Sequence, residues 1–183
     1  MRANTKRNRW VVIAAAFLVL AVVNWAIWQK EHHLADGEIV YLELAPVDPR
    51  SLIQGDYMAL SFVLADRIRM QRVIDRQAVE ETGGNAIQAA ANGSVVVRLD
   101  EFSIAHFQRL DDGRSLDDDE RRLRYRLRNG NVRFATDAFF FQEGHADRFE
   151  PAHYGQFRVN ESGELLLVAL YDEELNSLGE MAR

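Results

Sequence analysis

The stretch "SLIQGDYMALSF", Ser51–Phe62, places a Gly-Asp pair between a short apolar run and an alternating one. Glycine adopts backbone conformations closed to other residues, and aspartate bonds nearby backbone amides, so the pair is typical of a turn that begins a strand. Alternate residues of a strand share one face. The pattern therefore predicts that Met58, Leu60 and Phe62 line a core and that Tyr57 lies on the opposite face.

The residues around the pair predict a structural loop. Asp48, Pro49 and Arg50 come shortly before it. An ion pair between Arg50 and Asp56 would hold the loop 46–57 without any ligand, because a guanidinium and a carboxylate form strong charge-assisted hydrogen bonds.

Composition argues against a reactive serine in this loop. A serine followed by Gly-Asp also occurs in signal peptidases, whose chemistry needs a lysine near the serine as general base. The sequence has no lysine after Lys30. We therefore expect Gly55 to serve the turn at positive φ, and Ser51 to have no catalytic role.

The stretch "WVVIAAAFLVLAVVNWAIW", Trp10–Trp28, is 19 residues long and carries no charge. As a helix it would measure about 28 Å, close to the roughly 30 Å of a bilayer core. Four cations precede it, so the positive-inside rule predicts a cytoplasmic N-terminus. A cleaved signal peptide is the alternative. Such peptides have an apolar region of about 7–15 residues that ends in small residues, whereas this one ends in bulky indoles.

The chain thus divides into four predicted parts. Residues 1–9 form a cytoplasmic N-terminus, 10–28 a single-pass anchor in the inner (cytoplasmic) membrane, 29–37 a linker, and 38–183 an extracytoplasmic (periplasmic) domain. Residues 31–183 contain 17 arginines and 28 acids, a net charge of 17 − 28 = −11. This acidic balance argues against a nucleic-acid partner, because phosphate binding depends on surplus positive charge.

The domain is predicted to be mainly β (α+β), a compact barrel or sandwich of seven or eight short strands. The clearest hairpin is "RRLRYRLRNGNVRFAT", Arg121–Thr136, in which Asn129-Gly130 supplies a turn that needs positive φ. A strand is also predicted from Tyr57 to Ala65.

One helical insertion, residues 66–91, interrupts the strands. Asp66 is placed to cap its start, and apolar residues then recur at helical spacing. They are Met70, Val73, Ile74 and Ala78.

A second cluster of polar residues follows the strands. Glu143, His145 and His153, with two further acids between them, lie within eleven residues and could in principle hold a metal ion. No metal-binding sequence motif such as HExxH is present, and Gly144 and Pro151 indicate a loop. We therefore predict that this cluster is a solvated polar loop. The alternative is an envelope hydrolase or metal-dependent enzyme that uses Asp56 together with the three named residues, which would then have to converge.

An arginine row occurs in the predicted hairpin. Its members are Arg122, Arg124, Arg126 and Arg128. Period two places all four on one face of a strand. The row is interpreted as facing solvent and pairing with acids, with anionic lipid or an acidic partner as the alternative.

Two segments together resemble a known family. "PVDPRSLIQGDYMAL", 46–60, and "FFFQEGHADRFEPAHYGQFRV", 139–159, resemble the GDYxxLxY family of membrane-anchored bacterial proteins. Phe62 departs from the motif, which ends in tyrosine. The resemblance implies a membrane anchor and, because members are often encoded beside a multi-pass membrane protein, a partner of that kind. It implies no activity.

The sequence therefore favours a binding or accessory protein with no catalytic residue, metal or cofactor. Its special surface is predicted to combine the motif loop with residues of the second segment. These are Gln142, Glu143, Gly144, His145, Tyr154 and Gly155.

Overall fold

The computed structural model of the protein describes residues 3–45, 53–54, 57–81, 92–136 and 138–181, with side chains for 9–45, 57–77, 92–136 and 138–181. The chain divides into two compact units, the second of which begins at Gly37. The first unit consists of one helix, and the second is a β-domain with its own core.

The helix α1, Ala3–Asp36, contains the predicted apolar span. A helix of this length and apolarity can cross a membrane, and its apolar side chains are exposed, which is typical of a membrane span or a signal sequence. Asn24 donates from its Nδ2 to the carbonyl of Leu20 at 2.9 Å, so the polar group within the span is satisfied by the helix itself. Residues 29–36, predicted as a linker, continue the helix.

The second unit contains eleven strands and two helices among the residues described. In chain order they are β1 (Glu38–Glu43), β2 (Ile53–Gln54), β3 (Tyr57–Ala59), α2 (Val63–Glu81), β4 (Asn92–Leu99), β5 (Ala105–Leu110), β6 (Glu120–Arg128), β7 (Asn131–Arg133), β8 (Ala138–Phe140), α3 (Ala146–Phe149), β9 (Tyr154–Val159), β10 (Leu165–Tyr171) and β11 (Ser177–Glu180). The predicted fold class, an apolar N-terminal helix before a mainly-β domain with a helical insertion, is confirmed.

The strands form three antiparallel sheets. Their orders are β1-β9-β10-β11, β2-β3-β8 and β5-β4-β6-β7. Alternate residues of the long strands point into a single core that α2 also contacts. Val40 and Leu42 of β1, Val95 and Val97 of β4 and Leu123 of β6 have no exposed surface. Burial of these side chains from several sheets is the main stabilising contribution to the domain.

The predicted strand 57–65 is wrong in its second half. β3 ends at Ala59 and α2 begins at Val63, so Asp66 lies within the first helical turn and does not cap it. The run Phe62–Ala65 is apolar at every position, and such a run does not distinguish a strand from a helix. Residues 82–91, the end of the predicted insertion, lie outside the described residues.

The predicted hairpin is confirmed. β6 pairs with β7 in the register Leu127↔Val132, and the turn residues Asn129 and Gly130 have φ of 51° and 78°.

The strand count was predicted too low. Strands of two or three residues, such as β2 and β3, are too short to show an alternating pattern.

The turn between β9 and β10 connects two strands of one sheet and also contacts β6 of another sheet. Asn160 accepts through Oδ1 from the amides of Ser162 and Glu164 at 3.1 and 2.9 Å. The carbonyl oxygen of Gly163 accepts a hydrogen bond from the backbone amide of Arg124 in β6 at 2.8 Å. Gly163 has φ of +78°, and a Cβ there would lie 2.5 Å from the carbonyl oxygen of Arg122. This close backbone approach requires glycine.

Gly163→Ala is therefore expected to destabilise the domain by about 3 kcal/mol or more, because it adds a backbone clash to the strain of a positive φ. Gly113→Ala is the matched control. Gly113 has φ of +82°, but no atom lies within 4 Å of the position that a Cβ would occupy, so only the strain of about 1 kcal/mol should appear. Urea unfolding of the full chain in detergent, followed by near-ultraviolet circular dichroism, measures both. Equal losses would contradict the close approach.

Candidate functional site

The two sequence segments that resemble the family pair directly in the fold. β3, from the first segment, lies antiparallel to β8, which begins one residue before the second. The paired residues are Tyr57↔Phe140, Met58↔Phe139 and Ala59↔Ala138. The segments are therefore neighbours in one small sheet although about eighty residues separate them in the chain.

Phe62, at the final position of the motif, belongs to the core. It is 3% exposed, and its ring packs edge-on against Phe157 and Phe134 at centroid distances of 5.5 and 6.0 Å. A Cβ at Gly155 would meet the Phe62 ring at 3.3 Å and side-chain atoms of Phe157 and Leu167 at 3.2 and 3.3 Å. An alanine at position 155 would therefore require the neighbouring side chains, including the Phe62 ring, to shift by a few tenths of an ångström.

The predicted facing of the motif strand is confirmed. Met58 and Leu60 are buried, whereas Tyr57 is half-buried, with its ring centroid 5.9 Å from that of Phe140. The remaining motif residues lie outside the described residues. They are Asp48, Pro49, Arg50, Gly55 and Asp56. The Arg50–Asp56 ion pair and the positive φ of Gly55 stay predictions.

The segment that begins at Gln142 forms an exposed polar turn. Glu143, Gly144 and His145 are exposed, and the His145 amide donates to the Gln142 carbonyl at 3.1 Å. The turn leads into α3, whose Phe149 is buried.

Phe149 holds this turn on the domain. Its ring centroid is 5.0 Å from that of Phe139 and 5.2 Å from that of Phe141. The exposed turn is thereby attached to the same β8 that pairs with the motif strand.

The geometry gives no support to a metal centre. Within the part of the chain that the structure describes, no group of three His, Cys, Asp or Glu residues could hold a metal ion, so Glu143, His145 and His153 do not form one. His153 instead lies beside β1, with Nε2 3.8 Å from Glu43 Oε1. Asp56, the fourth residue of the enzyme hypothesis, lies outside the described residues.

An aromatic hydrogen-bonded surface lies on the outward side of the first sheet. We call its four residues, Tyr41, Tyr154, Gln156 and Tyr171, the tyrosine face. Gln156 donates from Nε2 to the hydroxyls of Tyr41 and Tyr171 at 2.8 and 3.2 Å. The rings of these two tyrosines meet edge-on at 5.2 Å, and all four side chains are partly exposed. These contacts restrain Tyr41, Gln156 and Tyr171 relative to one another.

Two tyrosines of the tyrosine face have raised pKa values. Burial raises the pKa of Tyr41. Burial also raises the pKa of Tyr154, with further contributions from the negative charges of Glu43, Glu173 and Asp100. Both tyrosines consequently remain neutral donors within acidic surroundings.

Asp100 belongs to this acidic surrounding. Burial opposes its ionisation, but hydrogen bonds from His106 and from the amides of Ile104 and Phe102 lower its pKa overall. His106 Nε2 lies 2.9 Å from Asp100 Oδ2, so this histidine holds a turn carboxylate in place. Asp100 therefore keeps its negative charge near neutral pH.

Sequence reasoning found Tyr154 but missed Tyr41, Gln156 and Tyr171. Tyr41 and Gln156 are register partners between β1 and β9, which are more than one hundred residues apart. Each residue alone is an ordinary outward position of a strand. Only the strand register brings them together.

The arginine row lies on one side of β6, as predicted. Arg122 pairs with Asp111 at 2.7 Å, and the other three members are exposed. The Arg122 contact is the acid pairing expected of a solvent-facing row.

The fold and these surfaces define a class of protein. It has a mainly-β domain with an aromatic hydrogen-bonding face, preceded by an apolar helix long enough to cross a membrane. The sequence profile of the GDYXXLXY protein family matches residues 19–170, which is most of the chain, and the chain belongs to this family. No curated protein and no solved structure matches it.

Phe62→Ala is expected to destabilise the domain by about 3–5 kcal/mol, the usual cost of removing a buried phenylalanine. Phe140→Ala is the control from the paired strand β8. Phe140 is 52% exposed, so its loss should cost about 1 kcal/mol or less. Thermal unfolding of the full chain in detergent compares the two. A Phe62 variant as stable as the Phe140 variant would show that the last motif position is not a core position.

Proposed function

We propose that this protein is a single-pass protein of the bacterial cytoplasmic membrane, whose domain binds another membrane protein on the extracytoplasmic side. The observation that carries the binding role is the tyrosine face, an ordered aromatic surface on a rigid sheet. The membrane anchor is supported separately by α1.

The apolar helix has the features of an anchor. Its side chains are exposed from Trp10 to Trp28, and Trp25 and Trp28 lie 5.5 Å apart near its far end. Indoles prefer the membrane–water interface, and the cations before Trp10 favour the cytoplasmic side. These features support an uncleaved anchor with the domain outside the cytoplasm.

The tyrosine face has the chemistry of a protein-binding surface. Tyrosine is enriched at interfaces because its ring buries apolar area while its hydroxyl forms hydrogen bonds. Gln156 already restrains the side chains of Tyr41 and Tyr171. Binding of a partner would therefore cost little additional side-chain conformational entropy at these two residues. The acidic rim at Glu43, Glu173 and Asp100 favours a partner with cationic groups opposite it. Resemblance to the family points to a multi-pass membrane protein.

The proposed topology predicts the activity of fused reporters. A reporter active only outside the cytoplasm should be active when fused after Arg183 and inactive when fused after Arg9, because the span between them crosses the membrane once. The purified protein should also retain its N-terminus. An isolated chain that begins near Gln29 would contradict the anchor and indicate a cleaved signal peptide.

The proposed binding surface predicts position-specific cross-linking. A photo-reactive phenylalanine derivative at Tyr171 of the full chain, in intact membranes, should yield one discrete adduct with a membrane protein. Tyr41→Ala should remove the adduct, because Tyr41 completes the same face. The control position is Glu161, which is exposed in the turn between β9 and β10. Equal adducts at both positions, or none at Tyr171, would contradict the proposal.

A further inference from the structure

A row of three outward side chains crosses the first sheet at one end of the tyrosine face. Glu43 of β1 is the register partner of Tyr154 in β9, and Tyr154 is the register partner of Tyr171 in β10. Directly opposed residues of antiparallel strands project on the same side, with Cβ atoms about 4.5–5.5 Å apart. A carboxylate and a second phenol therefore flank Tyr154 on its two sides.

The carboxylate of this row is accessible. The side chain of Glu43 is 47% exposed, and Tyr154 and Tyr171 are partly exposed. His153 Nε2 lies 3.8 Å from Glu43 Oε1, which is longer than a hydrogen bond. The His153 ring instead contacts Tyr154 edge-on, at 4.7 Å between centroids. Glu43 can therefore accept hydrogen bonds from an incoming donor.

Further acidic residues belong to the chain segments that meet beside this row. The amide of Tyr41 donates to the carbonyl of Ser103 at 2.9 Å, and the amide of His153 donates to the carbonyl of Tyr171 at 2.8 Å. The segments joined in this way are 41–44, 100–106, 153–157 and 171–174. Together they contain six acidic residues and neither lysine nor arginine.

The charge at Tyr154 agrees with this composition. Burial raises the pKa of Tyr154, and the charges that raise it further are those of Glu43, Glu173 and Asp100, all of which are negative. A cationic group of a partner would therefore be attracted to this end of the tyrosine face.

Two arginines near these segments have acceptors of their own. Arg158, on the outward side of β9, donates to the carbonyl of Gly37 at 2.9 Å. Arg98, in β4, forms an ion pair with Asp119 at 3.0 Å. Neither acceptor is one of the carboxylates around Tyr154. These carboxylates are therefore not the ones that the two arginines neutralise.

We propose that the tyrosine face binds an arginine side chain of its partner. The inference rests on the proposed function, because the arginine belongs to the membrane protein that the domain binds. The guanidinium stacks on the ring of Tyr154 and donates to the carboxylate of Glu43. A guanidinium is planar, stacks on aromatic rings and can donate two parallel hydrogen bonds to one carboxylate. The row provides the ring and the carboxylate side by side.

Other occupants fit this surface less well. A second copy of the chain, docked by the same face, would bring like charges together, which is unfavourable. Anionic lipid headgroups would be repelled for the same reason. A lysine ammonium can reach Glu43, but it is a point charge that can neither stack as a plane nor donate in a fork.

The test is a peptide titration of the full chain in a non-ionic detergent. The five tyrosines of the chain are replaced by 3-fluorotyrosine and followed by fluorine NMR near neutral pH. The probe is a short glycine-rich peptide that contains arginine. Matched peptides contain lysine or citrulline, which has the shape of arginine without its charge.

The arginine peptide should shift the Tyr154 and Tyr171 resonances saturably. The lysine peptide should bind several-fold more weakly, and the citrulline peptide should cause no shift. Tyr57 and Tyr125, which lie in other sheets, should not respond. Equal binding of the citrulline peptide, equal shifts at all five tyrosines, or no shift at all would overturn the proposal.

Charge variants give the matched comparison. Glu43→Gln combined with Glu173→Gln should weaken binding of the arginine peptide about tenfold, since an exposed ion pair contributes up to about fivefold. Asp75→Asn combined with Glu161→Gln removes the same charge from exposed positions outside the tyrosine face and should change binding by less than about twofold. Equal weakening by the two double variants would overturn the proposal, because net charge alone would then explain binding.

Cross-linking in intact membranes separates this inference from the proposed function. Glu43→Gln and Glu173→Gln are combined with the photo-reactive group at Tyr171, and the adduct should be lost. An adduct that persists undiminished would overturn the arginine and leave the membrane-protein partner intact. Binding of the arginine peptide without any adduct in membranes would keep the recognition and contradict the proposed partner. Absence of both would overturn both.

Discussion

The ring of Phe62 packs over Gly155, and the arrangement of the domain around the motif depends on this contact. Phe62 follows the short strand β3, which pairs with β8, while Gly155 lies in β9 of a different sheet. A side chain at position 155 would meet Phe62, Phe157 and Leu167 within 3.3 Å. The small sheet that contains β3 and β8 is thereby packed against the sheet β1-β9-β10-β11. The contact consists of an aromatic cluster and the glycine at position 155, which has no Cβ. Aromatic packing of this kind adds directional preference to apolar burial.

The same constraint separates the structural residues from the exposed ones. Because Phe62 and Gly155 face the core, their strand neighbours face outward, and Tyr154 and Gln156 join Tyr41 and Tyr171 on the tyrosine face. The described motif positions Met58, Leu60 and Phe62 lie in the core, and the partly exposed residues of the tyrosine face lie on the outward side of the neighbouring sheet. Under the proposed function, the tyrosine face would be the binding surface, and the membrane anchor would restrict where it meets a partner.

Local chemistry explains which predictions from sequence succeeded. Asn129-Gly130 was identified because positive φ at two successive residues demands such a pair, and Met58, Leu60 and Phe62 were placed in the core by simple alternation. The start of α2 was missed because a fully apolar run shows neither the two-residue period of a strand nor the 3.6-residue period of a helix. The β3-β8 pairing and the tyrosine face could not be predicted from local pattern, since both depend on the register of strands distant in the chain. The metal hypothesis used sequence proximity, but His153, which directly precedes β9, lies beside Glu43.

A double-mutant cycle between Phe62 and Gly155 tests the central claim most directly. Phe62→Leu, Gly155→Ala and the double variant are compared by urea unfolding, with Phe140→Leu in place of Phe62→Leu as the control cycle. If the ring fills the space above the glycine, the smaller leucine makes room for the new methyl group. The double variant should then be at least about 1 kcal/mol more stable than the sum of the single effects predicts, while the control cycle is additive. Additivity within about 0.5 kcal/mol in both cycles would contradict the contact on which this account of the motif rests.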